Sequence, residues 1–382
     1  MRDHAGPGST GSRPSRMSRA VRRQIGQLIV AGFDGRTIPV ELAALAREFD
    51  LGGVIFFARN IDAPLQVAEL AYAAKQLARE MPPWVSVDQE GGRVQRLRAP
   101  CTEWPPAATL GRCGDPELAE DFARALAREL RALGITLDYT PVLDVATNPS
   151  NPVIGDRAMS SDAARAGKLG AIVLRTLQEE GIAACGKHFP GHGDTSVDSH
   201  EDLPVVEQER PRLDEVELPP FRAAIDAEVA MLMTAHVRYP AIDEEQPATL
   251  SKAIVTDLLR AELGFEGLVA TDDMEMGAIA RHRDVAEASV EALRAGCDLL
   301  LLCGADVATQ VAVIERLIHA VENEELSVRQ VERALGRQRR AKERFLAADA
   351  DWRPPAARQL NALLGCDAHQ AVAERMREFA DE

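Results

Sequence analysis

The chain has 382 residues, with 44 Lys and Arg against 60 Asp and Glu, a formal charge of −16 at neutral pH. That balance argues against a phosphate-backbone binder, which neutralises phosphates with clustered cations, and against an anionic membrane surface. With 46% apolar and 27% charged residues, the chain can build either two average domains or one large α/β barrel with a tail.

In chain order, the first 24 residues are rich in Arg, Gly and Ser and hold no apolar h-region, so a cytoplasmic location is expected. Met17 is a candidate start, and residues 1–17 read as a disordered extension. The apolar runs fall far short of the ~20 residues of a membrane span. From there, short apolar or β-branched runs alternate with longer segments of helical period. The predicted strands are Gln27–Phe33, Gly53–Phe57, Trp84–Asp88, Leu137–Val142, Ala183–His188, Ala230–His236, Leu268–Asp272 and Leu299–Cys303. The predicted helices are Pro64–Glu80, Pro116–Leu133, Ser161–Glu180, Arg212–Ala227, Lys252–Leu263, Val285–Ala295 and Val307–Glu322. Asp115-Pro116 supplies an N-cap and an N1 proline, and Gly134, Gly181, Gly264 and Gly296 each stand where a left-handed C-cap belongs.

Eight strand–helix repeats predict a closed (β/α)8 TIM barrel, an α/β fold, over residues 18–348. Leu143–Ser160 breaks the rhythm as a long loop rich in Asn, Pro and Asp, a length that is often functional. Asn323–Ala348 reads as a charged helix on the barrel exterior. Residues 349–382 read as a linker around Pro354-Pro355 and a helical tail. The six cysteines (101, 113, 185, 297, 303 and 366) are scattered without a C-x-x-C pair and read as reduced thiols.

In such a barrel, catalytic groups gather at the C-terminal ends of the strands. Five of the eight ends carry charged or His side chains: Val87 to Arg96; Asp144 with Asn151 to Arg157; Gly186 to Thr195 with Asp198-Ser199-His200; Thr234 to His236; and Thr271-Asp272-Asp273. Clustered charge on one rim costs free energy unless it is used. Carboxylates, Lys, Arg and His converging on one mouth suit a small polyhydroxylated ligand. Asp272 could be a nucleophile if donors keep it ionised, with His200 or a nearby Asp as the acid/base, the logic of a retaining glycosidase. Bland readings stand beside these: Asp88 and Asp273 as caps, Asp144 as a backbone acceptor, and His236 as a satisfied core histidine. His188, His192, Asp194, Asp198 and His200 are ligand types that suit zinc or iron, but the segment lacks helical i, i+4 geometry, and no metal is expected.

Lys187-His188-Phe189-Pro190-Gly191-His192-Gly193-Asp194-Thr195 followed by Asp198-Ser199-His200 resembles glycoside hydrolase family 3, and within it the β-N-acetylhexosaminidases of bacterial peptidoglycan recycling. Supporting blocks stand in order at Gly52 to Asn60, Val87 to Arg96, Asn151 to Arg157 and Thr271 to Ala278, so the resemblance covers Gln24 to Gly304. It implies Asp272 as nucleophile, His200 as general acid/base on a mobile loop, and Asp198 as the residue that orients His200. It implies Asp88, Arg96, Arg157, Lys187 and His188 as ligands of a terminal N-acetylglucosamine, and no cofactor. Many family members add a second α/β domain; only about 80 residues follow the last strand here, matching the single-domain hexosaminidases. The expected function is an exo-acting retaining β-N-acetylglucosaminidase on peptidoglycan fragments such as GlcNAc-1,6-anhydro-MurNAc and its peptides. The alternatives are a β-glucosidase or an N-acetylglucosaminide phosphorylase. The expected partner is a small saccharide (muropeptide) rather than nucleic acid or membrane, with the chain a monomer or weak homodimer.

Overall fold

The structure, a computed structural model, describes residues 17–77, 80–349 and 351–380. The expected N-terminal extension lies outside the described residues except for Met17. Eight strands form a closed barrel: β1 (Ile29–Ala31), β2 (Gly53–Phe56), β3 (Trp84–Val87), β4 (Leu137–Asp138), β5 (Ala183–Phe189), β6 (Met231–Thr234), β7 (Leu268–Asp273) and β8 (Leu299–Leu302). Each pairs in parallel with its sequence neighbours, and β8 closes on β1 through Ile29 opposite Leu300. One helix follows each strand: α1 (Val40–Phe49), α2 (Pro64–Lys75), α3 (Pro116–Ala132), α4 (Ala163–Glu179), α5 (Pro219–Asp226), α6 (Ala253–Glu262, wound as a π-helix), α7 (Val285–Ala295) and α8 (Val307–Glu322). This is the (β/α)8 barrel that the alternation predicts. Among the described residues, no helix is long and apolar enough to cross a membrane.

The strands alternate with period two, as a pleated strand must. Val30, Ile55, Trp84, Leu137, Tyr139, Ala183, Cys185, Met231, Met233, Leu268, Ala270, Leu299 and Leu301 fill the barrel interior as one cluster. The intervening residues, such as Val54, Val85, Ala184, Leu232, Val269 and Leu300, pack outward against the helices. Both sets are buried, so each strand reads as a short continuous apolar run.

Two expected element bounds are corrected, and one helix was not foreseen. The strand foreseen over Leu137–Val142 is a regular ladder only at Leu137–Asp138; beyond it the segment keeps scattered bonds to its neighbours, with Tyr139 N donating to the Val87 carbonyl, Cys185 N to the Thr140 carbonyl and Val142 bridging Lys187, while Pro141 has no N–H to give. The helix foreseen over Arg212–Ala227 is broken into Arg210–Arg212, a π-turn at Leu213–Glu217 and α5, which starts at Pro219. α1 had no counterpart in the sequence reading.

The charged helix after α8, α9 (Val328–Leu346), does not lie on the barrel's outer wall. It crosses the N-terminal opening and plugs it. Phe345 and Leu346 join the interior cluster, Gln338 accepts from Trp84 Nε1 at 3.0 Å, and Lys342 donates to Gln27 Oε1 and the Gly52 carbonyl at 2.6 and 2.8 Å. The tail folds back as α10 (Ala357–Leu363) and α11 (Asp367–Arg377). Leu360, Leu364, Ala373 and Met376 are buried in the outer core. Glu129 of α3 anchors the tail by accepting from Gly365 N and pairing with His369 Nδ1, both at 2.8 Å.

Candidate active site

The strands' own alternation places the charged cleft. Continuing the inward phase one step past the apolar interior leads from Trp84 and Ser86 to Asp88, from Ala183 and Cys185 to Lys187, and from Leu268 and Ala270 to Asp272. In β2 and β8 the same step leads from Ile55 to Phe57 and from Leu301 to Cys303. All five residues line one cleft of about 380 Å³ over the barrel's C-terminal end. The packed interior is its floor. Of the residues singled out from the sequence, Asp88, Arg96, Arg157, Lys187, His188, His200 and Asp272 line this cleft. Asp198 stands behind His200.

Glu90 organises the cationic wall, and the sequence reading did not assign it a role. It is buried, takes both arms of the Arg157 guanidinium at 2.9 Å each, and pairs with Lys187 Nζ at 2.6 Å. Lys187 also donates to Asp88 Oδ1 at 2.8 Å, and Arg96 Nη2 lies 3.5 Å from Asp88 Oδ2. Burial alone would raise the Glu90 carboxyl, but Arg157 and Lys187 outweigh it and hold it well below the usual glutamate range. Burial would likewise lower Lys187, yet Asp88 and Glu90 keep it firmly protonated. Neither cation is exhausted. Lys187 has three N–H donors and uses two; Arg157 has five, two on Glu90 and one on the Val153 carbonyl. The spare donors suit a ligand's hydroxyl or carbonyl oxygens.

Local structure fixes each of these groups. Gln89 accepts from Arg96 N and Leu97 N at 2.8 and 3.0 Å, which ties Arg96 back to the end of β3. Arg157 ends a short turn in the long loop after β4. Asn151 stitches that loop to the one after β5, donating to the His192 and Gly193 carbonyls and accepting from Val153 N and Ile154 N. Beneath them, Asp138 accepts from Gln89 N at 2.9 Å. Burial pushes its carboxyl up to about 8, so it is mainly the neutral acid at pH 7.

His188 and His192 hang from one buried carboxylate. Asp144 accepts from His188 N, from His192 N at 2.6 Å, and from His188 Nδ1 at 2.7 Å. Burial would raise Asp144, but His188 and His192 hold it below the ordinary value. The carboxylate therefore accepts, His188 Nδ1 carries the proton, and Nε2 is left for the cleft. His192 spends its ring nitrogens on Thr195 Oγ1 and Ser199 Oγ at 2.8 and 2.9 Å. Burial lowers it to about 4, so it is neutral. Asp194 meets Thr147 and Gln208. These side chains are each engaged separately, and among the described residues no group of three or more His, Cys, Asp or Glu is placed to hold a metal ion.

Asp272 is half-buried at the end of β7, with Oδ1 accepting from Asp273 N at 2.8 Å. Burial alone would raise its carboxyl. His188, His236, the Asp273 N–H and Lys187 together outweigh that and hold it below the ordinary aspartate value. It is an ionised carboxylate that faces two histidines and Lys187, a setting that suits a nucleophile. His236 is a satisfied histidine, bonded to Thr249 Oγ1 and the Asp273 carbonyl at 2.8 and 2.9 Å. Asp273 accepts from Glu275 N and Cys303 N and ties the ends of β7 and β8 together.

Asp198 and His200 form a dyad on the loop after β5. Asp198 Oδ1 accepts from both the backbone N and Nδ1 of His200, each at 2.8 Å. Partial burial raises the Asp198 carboxyl, but the two bonds from His200 and the His200 charge more than offset this. Nδ1 is therefore the donor, and Nε2 is the atom free for proton transfer. The His200 side chain is 65% exposed, so its free nitrogen meets solvent or a ligand.

Besides Glu90, Phe57, Ser199 and Glu275 also line the cleft, and the sequence, which placed them in strand ends and motif blocks, suggested no role for them. Phe57 carries the Arg59 and Arg96 guanidinium groups at 4.6 and 5.3 Å from its ring centre. No local pattern marked Glu90, because the cations that a buried acid needs are Arg157 and Lys187, while the nearby Arg93 and Arg96 pair with Asp156 and Asp88.

Comparison with known proteins gives a consistent picture. The profile of the glycosyl hydrolase family 3 N terminal domain matches residues 20–341. The chain is 36% identical over 327 residues to a protein of Pseudoalteromonas piscicida named β-hexosaminidase A, covering 79% of this chain but only 54% of that protein. It thus spans about half the length of that relative. It is 37% identical over 336 residues to a β-hexosaminidase of Thiobacillus denitrificans, covering 86% of this chain and 84% of the relative. Among solved structures, a glycoside hydrolase family 3 β-N-acetylglucosaminidase from Paenibacillus sp. superposes with a TM-score of 0.89 at 41% identity, covering 94% of this chain and 68% of that one.

Proposed function

Because the chain belongs to glycosyl hydrolase family 3, and so is a glycosidase, we propose that it is a retaining exo-β-N-acetylglucosaminidase that removes terminal N-acetylglucosamine from peptidoglycan fragments in the cytoplasm. The β-hexosaminidase names of its relatives support the sugar, and the muropeptide aglycone is the finer part of the proposal. The observation that carries the reading is an ionised Asp272 sharing a cleft with the Asp198–His200 dyad.

In the first step, a carboxylate oxygen of Asp272 attacks C1 of the sugar. The bond from C1 to the aglycone oxygen breaks, and protonated His200 gives its Nε2 proton to that oxygen. The products are a glycosyl ester on Asp272, a neutral His200 and a free alcohol. In the second step, neutral His200 takes a proton from water as the water oxygen bonds to C1. The ester C1–O bond breaks and Asp272 leaves as carboxylate. One water is consumed, His200 ends protonated, and two inversions return the β-anomer. A histidine suits both half-reactions because imidazole titrates near neutral pH, and Asp198 holds its tautomer through the cycle. Asp88, Arg96, Arg157, Lys187 and His188 would grip the sugar's oxygens.

One feature favours a second reading. With histidine as the acid/base, the group that faces the incoming acceptor is itself not an anion, so phosphate could replace water in the second step and give the sugar 1-phosphate. One experiment decides between them. GlcNAc-1,6-anhydro-MurNAc and chitobiose are each incubated with the enzyme, with and without phosphate, and products are followed by proton NMR. The proposal expects β-N-acetylglucosamine as the first product from the muropeptide at a rate indifferent to phosphate. Initial release of the α-anomer would refute retention, and a phosphate-dependent sugar 1-phosphate would establish the phosphorylase.

A further inference from the structure

The loop that carries His200 is seated on the segment that follows β7, the strand that carries Asp272. Two N–H groups at the start of the short turn Gly277–Ala280 donate into the loop: Gly277 N to the His200 carbonyl at 3.2 Å, and Ala278 N to the Ser199 carbonyl at 3.1 Å. Gly277 is required for this approach, since a Cβ there would lie 2.5 Å from the His200 carbonyl oxygen and 2.7 Å from that of Glu201. Two residues further along the loop, Asp202 Oδ1 meets His282 Nε2 at 2.7 Å. On its other side the loop is held by Ser199 Oγ against His192 Nε2 at 2.9 Å. Within the loop, Glu201 N and Asp202 N both donate to the Asp198 carbonyl, so Asp198, His200 and Asp202 move as one turn.

The geometry points to Gly277 and the Asp202–His282 pair as a latch that sets the position of the general acid/base relative to the nucleophile. Neither element touches the cleft through its own side chain: Gly277 has none, and Asp202 and His282 are both about half exposed and absent from the cleft lining. They act through His200, and they are positioning residues. The reading deepens the proposed function, since it rests on His200 as the acid/base. Its physical basis is that the latch joins the loop after β5 to the segment after β7. In the latched position of the loop, three short contacts place the acid/base relative to Asp272, where otherwise only the long path through the barrel wall would connect them. Proton transfer demands placement within hydrogen-bond reach, and misplacement by about 1 Å costs on the order of a hundredfold.

The test separates positioning from folding by the demand placed on the acid. His282→Gln, Asp202→Asn and Gly277→Ala are compared with wild type on a series of aryl β-N-acetylglucosaminides whose leaving phenols run from dinitrophenol to methoxyphenol. Acid-catalysed departure matters for the poor leaving groups and hardly at all for the good ones. The latch predicts that kcat/KM falls by about tenfold or more for the methoxyphenyl substrate and by under about threefold for the dinitrophenyl substrate. The slope against leaving-group pKa therefore steepens. Azide, which needs no general base, is predicted to restore kcat on the dinitrophenyl substrate. An equal loss across the series, or an unchanged slope in the two exposed-pair variants, overturns the latch. Those two variants lie on the surface and keep the test decisive even where Gly277→Ala fails to fold. If wild type turns over no member of the series, the functional reading fails; if wild type turns over and the variants match its slope, only the latch fails.

Discussion

Glu90 holds Arg157 through a two-pronged bond, 2.9 Å on each arm, beneath the mouth of the barrel. The pair is buried on both sides, and Lys187 shares the same carboxylate. A buried pair of this kind is weak evidence for net stability, but removing one partner leaves uncompensated charge and is strongly destabilising. Its role here is to present two cations at fixed positions with donors to spare.

Glu90→Gln is therefore predicted to lose about 3 kcal/mol of stability and to raise KM about tenfold or more, a cost of about 1.4 kcal/mol per decade. The pH dependence follows from the direction of the shift. Glu90 is held below its ordinary value, so its contribution is complete above that value and is lost as pH falls through the folded one. Urea unfolding at pH 7 and pH 3, inside the window below the ordinary glutamate value, checks this: wild type should weaken more than Glu90→Gln on acidification.

Lys342 in α9 is buried at the opposite end of the barrel, and burial lowers it to about 7, against the attraction of Asp50. Between that value and the ordinary lysine value of 10.5, the unfolded chain binds more protons than the folded one. Stability from this group therefore rises with pH across that window, by at most about 1.4 kcal/mol per pH unit, and is lost as pH falls towards 7. Lys342→Met should flatten the curve of unfolding free energy between pH 7 and pH 10. Identical slopes in the two proteins would show that Lys342 is not neutralised by folding.

The C-terminal segment is fastened by a close approach. Gly134, which ends α3 with φ of +79°, would place a Cβ 2.5 Å from the Trp352 ring. Gly134→Ala is predicted to cost about 2 kcal/mol, the left-handed strain of about 1 kcal/mol plus displacement of the indole. Combined with Trp352→Ala, the loss should be less than additive. Denaturant unfolding of both single variants and the double variant measures it. Both residues lie away from the cleft, and kcat is expected to be unchanged.

What was legible in the sequence follows from where the physics is local. Parallel strands buried on both faces read as short apolar runs, so all eight were visible, and α7 and α8 have the bounds that their periodicity predicts. The left-handed ends at Gly134, Gly181, Gly264 and Gly296 were visible because positive φ favours glycine. α1 was missed because no side chain caps its start at Pro39. The place of α9 was missed because its helical period is the same whether it packs on the barrel wall or across its end. Only distant partners such as Trp84 and Gly52 decide between the two. The cleft residues could be collected from strand ends because inward alternation carries on past the apolar core. Glu90 escaped because its significance lies in Arg157 and Lys187, 67 residues away in one case. The His200 latch was equally hidden, since Asp202 and His282 are 80 residues apart.

If Asp272 attacks the anomeric carbon, it forms a glycosyl ester that can be trapped. A 5-fluoro-N-acetylglucosaminyl fluoride slows both steps, and paired with His200→Ala, which lacks the base for the second, it should accumulate the intermediate. After acid quench and trypsin digestion, one added fluorosugar is expected on the peptide Ala261–Arg281, placed on Asp272 by fragmentation. The label should be absent in Asp272→Asn. A label on another carboxylate, or full hydrolytic activity in Asp272→Asn, would contradict the account.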